Sequence, residues 1–138
     1  LLDDLGHWHG CGTAWHLAEQ GHEVTLVTRY AMAAQELART TADYPLRQKF
    51  KHLGVRVFTE SGIAEWHGDG ATVIDLRDGG ETRVDADSLV LATTNVANSW
   101  LADELAGRGL ELHQIGDCVA PRLANMATYE GRKVGLAL

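Results

Sequence analysis

Between Leu1 and Arg29 the chain reads strand, glycine-rich turn, helix, glycine, strand, and that order commits it to a βαβ unit with a parallel sheet. A short strand ends near Asp3 and runs into Leu5-Gly6-His7-Trp8-His9-Gly10-Cys11-Gly12. Cys11, Ala14, Trp15 and Ala18 then recur at helical spacing as one apolar stripe. Gly21 stops the helix as a residue able to take positive φ. The unbroken apolar or β-branched run Val24 to Val27 is the mark of a strand covered on both faces. The opening Leu1-Leu2-Asp3-Asp4, without an initiating Met, reads as a chain cut just inside its first strand.

Residues 31 to 42 read as loop and irregular helix. Asp43-Tyr44-Pro45 starts a helix, because proline loses no hydrogen bond in the first turn. Leu46, Phe50 and Leu53 share a face, Gly54 ends the helix, and Val55 to Phe58 is the third parallel strand. Short runs then follow at Ile63 to Trp66, Thr72 to Leu76 and Thr82 to Val84. They are separated by Gly68-Asp69-Gly70 and Asp78-Gly79-Gly80, which indicates an antiparallel meander. Leu89 to Ala92 is predicted as another buried strand, Trp100 to Ala106 as a helix, Leu112 to Ile115 as a strand, and Leu123 to Leu138 as a closing helix. Gly131 and Gly135 on that helix would allow close packing against a neighbour. The fold class is α/β: a Rossmann-like, three-layer domain with a parallel sheet plus an antiparallel meander.

The 138 residues carry an apolar fraction of 45%, enough for a real core. Twelve Lys and Arg against 19 Asp and Glu leave a net charge of −7, which argues against nucleic acid or an anionic membrane as partner. Cys11 and Cys118 match no disulfide or metal spacing, and a reduced cytoplasmic setting is the natural reading. No apolar run approaches the roughly 20 residues that span a bilayer.

A dinucleotide would bind at the turn after the first strand. The fingerprint there is G-x-G-x-x-G: a glycine for the tight turn, one for pyrophosphate approach, one for helix packing. Counting back from Gly21, the packing glycine falls on Gly10, while the first two positions fall on Leu5 and His7, with Gly6 one residue out of place. An imidazole at the pyrophosphate position puts a ring where phosphates should lie. The architecture is kept, and the binding chemistry is read as lost. The acid that would bond the ribose 2′-OH at the end of the second strand is replaced by Thr28. Arg29 beside it is read as a surface residue, with a 2′-phosphate partner of an NADP enzyme as the alternative. His7 and His9 flank Trp8 as H-x-H, but no ligand set at metal spacing accompanies them.

The strongest short motif is Ile115-Gly116-Asp117-Cys118-Val119-Ala120-Pro121. A strand ending in Gly-Asp ahead of a helix turns a carboxylate and helix N–H groups toward a ligand, although Asp117 as a simple cap is an equally open reading. Cys118 has no base partner in sequence and reads as packing rather than a nucleophile.

These motifs in this order resemble the C-terminal nucleotide-binding-like region of the trimethylamine dehydrogenase and histamine dehydrogenase family, with 2,4-dienoyl-CoA reductase as a more distant relative. The carrying segments are Gly21-His22-Glu23-Val24-Thr25-Leu26-Val27, Asp87-Ser88-Leu89-Val90-Leu91-Ala92-Thr93 and Ile115-Gly116-Asp117 through Ala120-Pro121-Arg122-Leu123, with Tyr129-Glu130-Gly131-Arg132 after it. The resemblance implies a division. Residues 1–94 correspond to the NAD(P) domain of glutathione-reductase-like proteins, with a truncated first strand. Residues 95–138 correspond to the return segment of an adjoining FAD- or ADP-binding-like domain.

It also implies that the parent's chemistry lies in a TIM barrel with FMN and a [4Fe-4S] cluster, outside these residues. The partners it implies are that barrel and the remainder of the FAD/ADP-like domain. Gly6 and Gly10 would shape the first turn, and Gly116 and Asp117 would face the ribityl or ribose part of FAD or ADP. No catalytic or metal residue is assigned. Two departures, the broken glycine fingerprint and Ala92-Thr93-Thr94 where Ala-Thr-Gly is usual, fit amine dehydrogenases better than NADPH-fed reductases. NADP is the alternative cofactor.

Overall fold

In the computed structural model, which describes residues 1–138, Arg56–Phe58, Thr25–Thr28, Leu2–Asp3 and Leu91–Ala92 lie side by side in that order as a parallel sheet. They are β1 Leu2–Asp3, β2 Thr25–Thr28, β3 Arg56–Phe58 and β7 Leu91–Ala92, and each neighbouring pair is parallel. Helices α1 Trp8–Glu19 and α2 Asp43–His52 make the crossovers. Both end in the same way. Past α1, Gly21 takes φ +88° while the N–H groups of Gly21 and His22 donate to the carbonyls of Ala18 (3.1 Å) and Leu17 (3.2 Å). Past α2, Gly54 takes φ +72° and the Val55 N–H donates to the Phe50 carbonyl at 2.9 Å.

Alternation along the strands sorts the core into two layers. Leu1, Val24, Leu26 and Val55 turn toward α1 and α2, where Cys11, Ala14, Ala18, Leu46 and Phe50 meet them. Leu2, Val27 and Phe58 turn the other way, onto Ile63, Val73 and Val84. Those residues belong to a three-stranded antiparallel sheet of β4 Ser61–Trp66, β5 Gly70–Asp75 and β6 Glu81–Asp85. Helices, parallel sheet and meander are thus the three expected layers. The segment after β2 carries a 3₁₀ turn, Gln35–Thr40, behind a fully buried Ala34 in the left-handed region at φ 61°.

By contacts the chain divides into two compact units, Leu1–Thr93 and Thr94–Leu138. The second contains α3 Trp100–Leu105, a single 3₁₀ turn at Gly116–Cys118, and α4 Ala124–Gly135.

Four expectations need correction. Leu112 to Ile115 is not a strand, because no backbone pairs with it to make a ladder. The strand expected at Leu89 to Ala92 is reduced to Leu91–Ala92, and it is not buried: it forms a sheet edge, where Leu91 stays 62% exposed. The closing helix is shorter than Leu123 to Leu138 at both ends. Of its glycines, Gly131 leaves only ordinary contact distance to Ile115, and Gly135 faces open space, so neither allows a close approach within this chain.

Candidate functional site: two glycine turns

The first turn is organised by Asp3, the last residue of β1. Its side chain is fully buried. Oδ1 accepts the N–H groups of Leu5 (3.2 Å) and Gly6 (3.0 Å), and Oδ2 accepts the Cys11 thiol at 3.4 Å. Burial pushes the Asp3 carboxyl above its ordinary range, against the pull of these donors. Burial first, and the Asp3 charge next, push the Cys11 thiol up to about 12, so this cysteine is a packing donor and not a nucleophile.

Gly6 and Gly10 come together around this carboxylate. Gly10 lies in α1 so close to it that a Cβ there would stand 2.8 Å from the Asp3 Cβ and overlap the carboxyl group. Gly6 takes φ +59°, a conformation an L side chain resists. Its carbonyl accepts the Glu36 N–H at 3.0 Å. A Cβ on Gly6 would also come within 2.8 Å of the Tyr30 ring, which lies over the turn.

His7 is the half-buried, extended residue immediately ahead of α1, and it makes no capping hydrogen bond. Thr28, at the strand end where an acid would bond ribose, is fully buried, and its hydroxyl accepts the Tyr30 N–H at 3.5 Å. The Arg29 guanidinium sits 5.5 Å from the centre of the Tyr30 ring. Sequence reasoning missed Asp3 and Tyr30. A carboxylate at a strand end three residues before a glycine was the available signal for the first, and nothing in the pattern pointed to the second.

The second turn is built around Gly116 and Asp117. Gly116 takes φ +70° and is buried, with its N–H donating to Glu130 Oε2 at 2.7 Å. The Arg122 guanidinium pairs with the other oxygen of Glu130. The Gly116 N–H first, and Arg122 next, hold the Glu130 carboxyl below its ordinary value. Asp117 is exposed, and its Oδ1 accepts the Arg122 N–H at 3.4 Å. Cys118 is half-buried and its thiol donates to the Ile115 carbonyl at 3.0 Å. Glu130, at the start of the Glu-Gly-Arg stretch, is the organising side chain here as Asp3 is in the first turn.

No group of three or more His, Cys, Asp or Glu side chains converges as a metal set. No helix is long and apolar enough to cross a membrane. Two clefts of about 390 and 400 Å³ open on the first unit, and neither is lined by Asp3, Gly6 or Thr28.

Residues 6–131 match the family described as pyridine nucleotide-disulphide oxidoreductases. No curated protein sequence matches the chain. Among solved structures, a 6-hydroxypseudooxynicotine amine oxidase from Pseudomonas geniculata N1 is similar over 97% of this chain and 21% of its own, at 26% identity and a TM-score of 0.89. Histamine dehydrogenase from Rhizobium sp. 4-9 is similar over 99% of this chain and 22% of its own, with a TM-score of 0.91; at 22% identity that likeness speaks to fold alone. A 2-naphthoyl-CoA reductase is similar over 99% of this chain and 21% of its own, at 25% identity and a TM-score of 0.76. The chain therefore spans about a fifth of the length of these proteins. The first and third of these, at 26% and 25% identity, bear out the resemblance to the trimethylamine dehydrogenase and histamine dehydrogenase family.

Proposed function

The chain belongs to the pyridine nucleotide-disulphide oxidoreductase family, and from that premise we propose that it is a non-catalytic, nucleotide-binding-like lobe of a flavin-dependent amine dehydrogenase or demethylase. The observation that carries this reading is the state of the first turn. The N–H groups of Leu5 and Gly6 go to the buried Asp3, the Gly6 carbonyl goes to Glu36, and the Tyr30 ring lies over Gly6. A dinucleotide needs that turn open and an acid at the end of β2; Thr28 stands there with its hydroxyl turned to its own chain. The residues present do not fit NAD(P).

The parent's oxidation of an amine then belongs to an FMN and [4Fe-4S] barrel outside these residues, and this lobe serves as scaffold. The 26% identity to an amine oxidase supports a parent that oxidises an amine. In the second unit Gly116 and Asp117 take the role of facing a ribityl or ribose hydroxyl of FAD or ADP, with Asp117 exposed and able to accept from it. That half-site is completed by the remainder of the FAD/ADP-like domain. The apolar side chains the second unit leaves uncovered, Val96 at 90% and Leu136 at 77% exposure among them, support such a partner. Two free cysteines support a reduced, cytoplasmic setting.

The second reading is an NAD(P)H-binding lobe of a reductase related to 2,4-dienoyl-CoA reductase. The likeness to a 2-naphthoyl-CoA reductase and the position of Arg29 favour it. Calorimetric titration of the 138-residue chain with NADPH, NADH and ADP separates the two. The scaffold reading expects no heat from either dinucleotide, and micromolar NADPH binding would replace it with the second.

A further inference from the structure

In a dinucleotide-binding βαβ unit the adenosine ribose lies between the glycine turn and the end of the second strand. Here those two walls are Gly6 and Thr28, and Tyr30 bridges them. Its ring is packed over Gly6, so close that a Cβ on that glycine would approach Cε2 to 2.8 Å. Its N–H reaches the Thr28 hydroxyl at 3.5 Å, and its carbonyl accepts the Glu60 N–H at 2.9 Å, which fixes the backbone that carries the ring. Arg29 stands where a 2′-phosphate partner would stand, and its guanidinium lies 5.5 Å from the centre of the Tyr30 ring. At the start of α1, by contrast, the His7 side chain does not cap the helix, and the first N–H groups of an α-helix have no intrahelical acceptor.

We propose that Tyr30 is a built-in occupant of the ribose subsite: an aromatic side chain of the protein stands where a nucleoside would, with Arg29 stacked on it. The turn is shut by this ring, while the start of α1, uncapped by His7, and the Arg29 cation over the ring are both kept. The inference rests on the scaffold reading and assigns the exclusion of nucleotide to Tyr30 rather than to His7. A side chain that occupies the site lowers the competent fraction of the protein and weakens apparent affinity in proportion. Removing the ring therefore exposes whatever affinity remains, and that affinity favours an adenosine carrying a 2′-phosphate.

The test titrates adenosine 2′,5′-bisphosphate and NADPH into the wild-type chain, Tyr30→Ala and Tyr30→Phe, with circular dichroism melting on each. Tyr30→Ala is expected to bind the bisphosphate at least about tenfold more tightly than wild type, and Tyr30→Phe, which keeps the ring, to behave as wild type. A folded Tyr30→Ala that binds no better overturns the proposal, as does Tyr30→Phe opening the site equally. In the wild-type chain, nuclear Overhauser contacts between the Tyr30 ring and the Gly6 α-protons are expected, and their absence overturns the proposal without any variant. The failures are distinct: NADPH binding to wild type removes the scaffold reading, whereas an unresponsive Tyr30→Ala removes only the role of the ring.

Discussion

The two units solve the same local problem in opposite surroundings. Each has a glycine at positive φ, Gly6 at +59° and Gly116 at +70°, whose N–H is taken by a carboxylate. Around Gly6 the carboxylate is the fully buried Asp3, set in a layered core that includes Leu26 at 0% exposure and Leu37, Leu46 and Phe50 at 2%. Around Gly116 it is Glu130, near the surface of a unit in which Gly116 is the one buried residue. Every buried apolar side chain lies in the first unit. The second unit is no less apolar, but Trp100, Leu101, Leu110, Leu123, Tyr129 and Leu136 are all more than half exposed. Hydrophobic burial thus determines one turn, and polar bracketing holds the other.

The largest effect that could break this contrast comes from truncating leucines. Leu26→Ala removes a fully buried side chain and is expected to cost about 2–5 kcal/mol in urea unfolding. Leu136→Ala, at 77% exposure, is expected to stay within about 0.5 kcal/mol. Equal losses would mean that the second unit has a core of its own.

Glycines sharpen the contrast next, because the same substitution should change sign. Gly10→Ala drives a methyl into the Asp3 carboxylate and is expected to destabilise by about 1–3 kcal/mol. Gly131→Ala meets only Ile115 at 3.7 Å and gains helix propensity, for a stabilisation of up to about 1 kcal/mol. Thermal melting of both variants reads this directly.

What could be read ahead of the structure follows from the same contrast. In the first unit the stripe Cys11-Ala14-Trp15-Ala18 and the glycine stops at Gly21 and Gly54 are local signals with local causes, and the helices they announce are present. The meander was legible because tight Asp-Gly turns define hairpins without outside help. Leu112 to Ile115 misled because an extended apolar run becomes a strand only when another backbone pairs with it, and pairing is not written in the run itself. The two turns were legible from their glycines, Gly6 and Gly116, and no further. Asp3 reaches Gly6 from three residues away, but Tyr30 arrives from the end of another strand, a contact no periodicity encodes. Glu130 arrives likewise from α4, 14 residues past Gly116.

The smallest effect is the most diagnostic, because the two carboxylates should respond to pH in opposite directions. Burial raises the folded-state pKa of Asp3, so its contribution to stability is complete below the ordinary aspartate value of about 3.9 and is lost as pH rises through the raised value. The Gly116 N–H and Arg122 lower that of Glu130, so its contribution is complete above about 4.3 and is lost as pH falls through the lowered value. Melting temperatures followed over roughly pH 3 to 7 should therefore separate the variants. Asp3→Asn is expected to remove a decline toward neutral pH, and Glu130→Gln to remove a decline toward acid. Exchange of the Gly116 amide should quicken in Glu130→Gln while that of Gly6 is unchanged, since only the former loses its charged acceptor. If both substitutions flattened the same limb, the buried turn and the bracketed turn would be electrostatically alike, and burial would not be what distinguishes them.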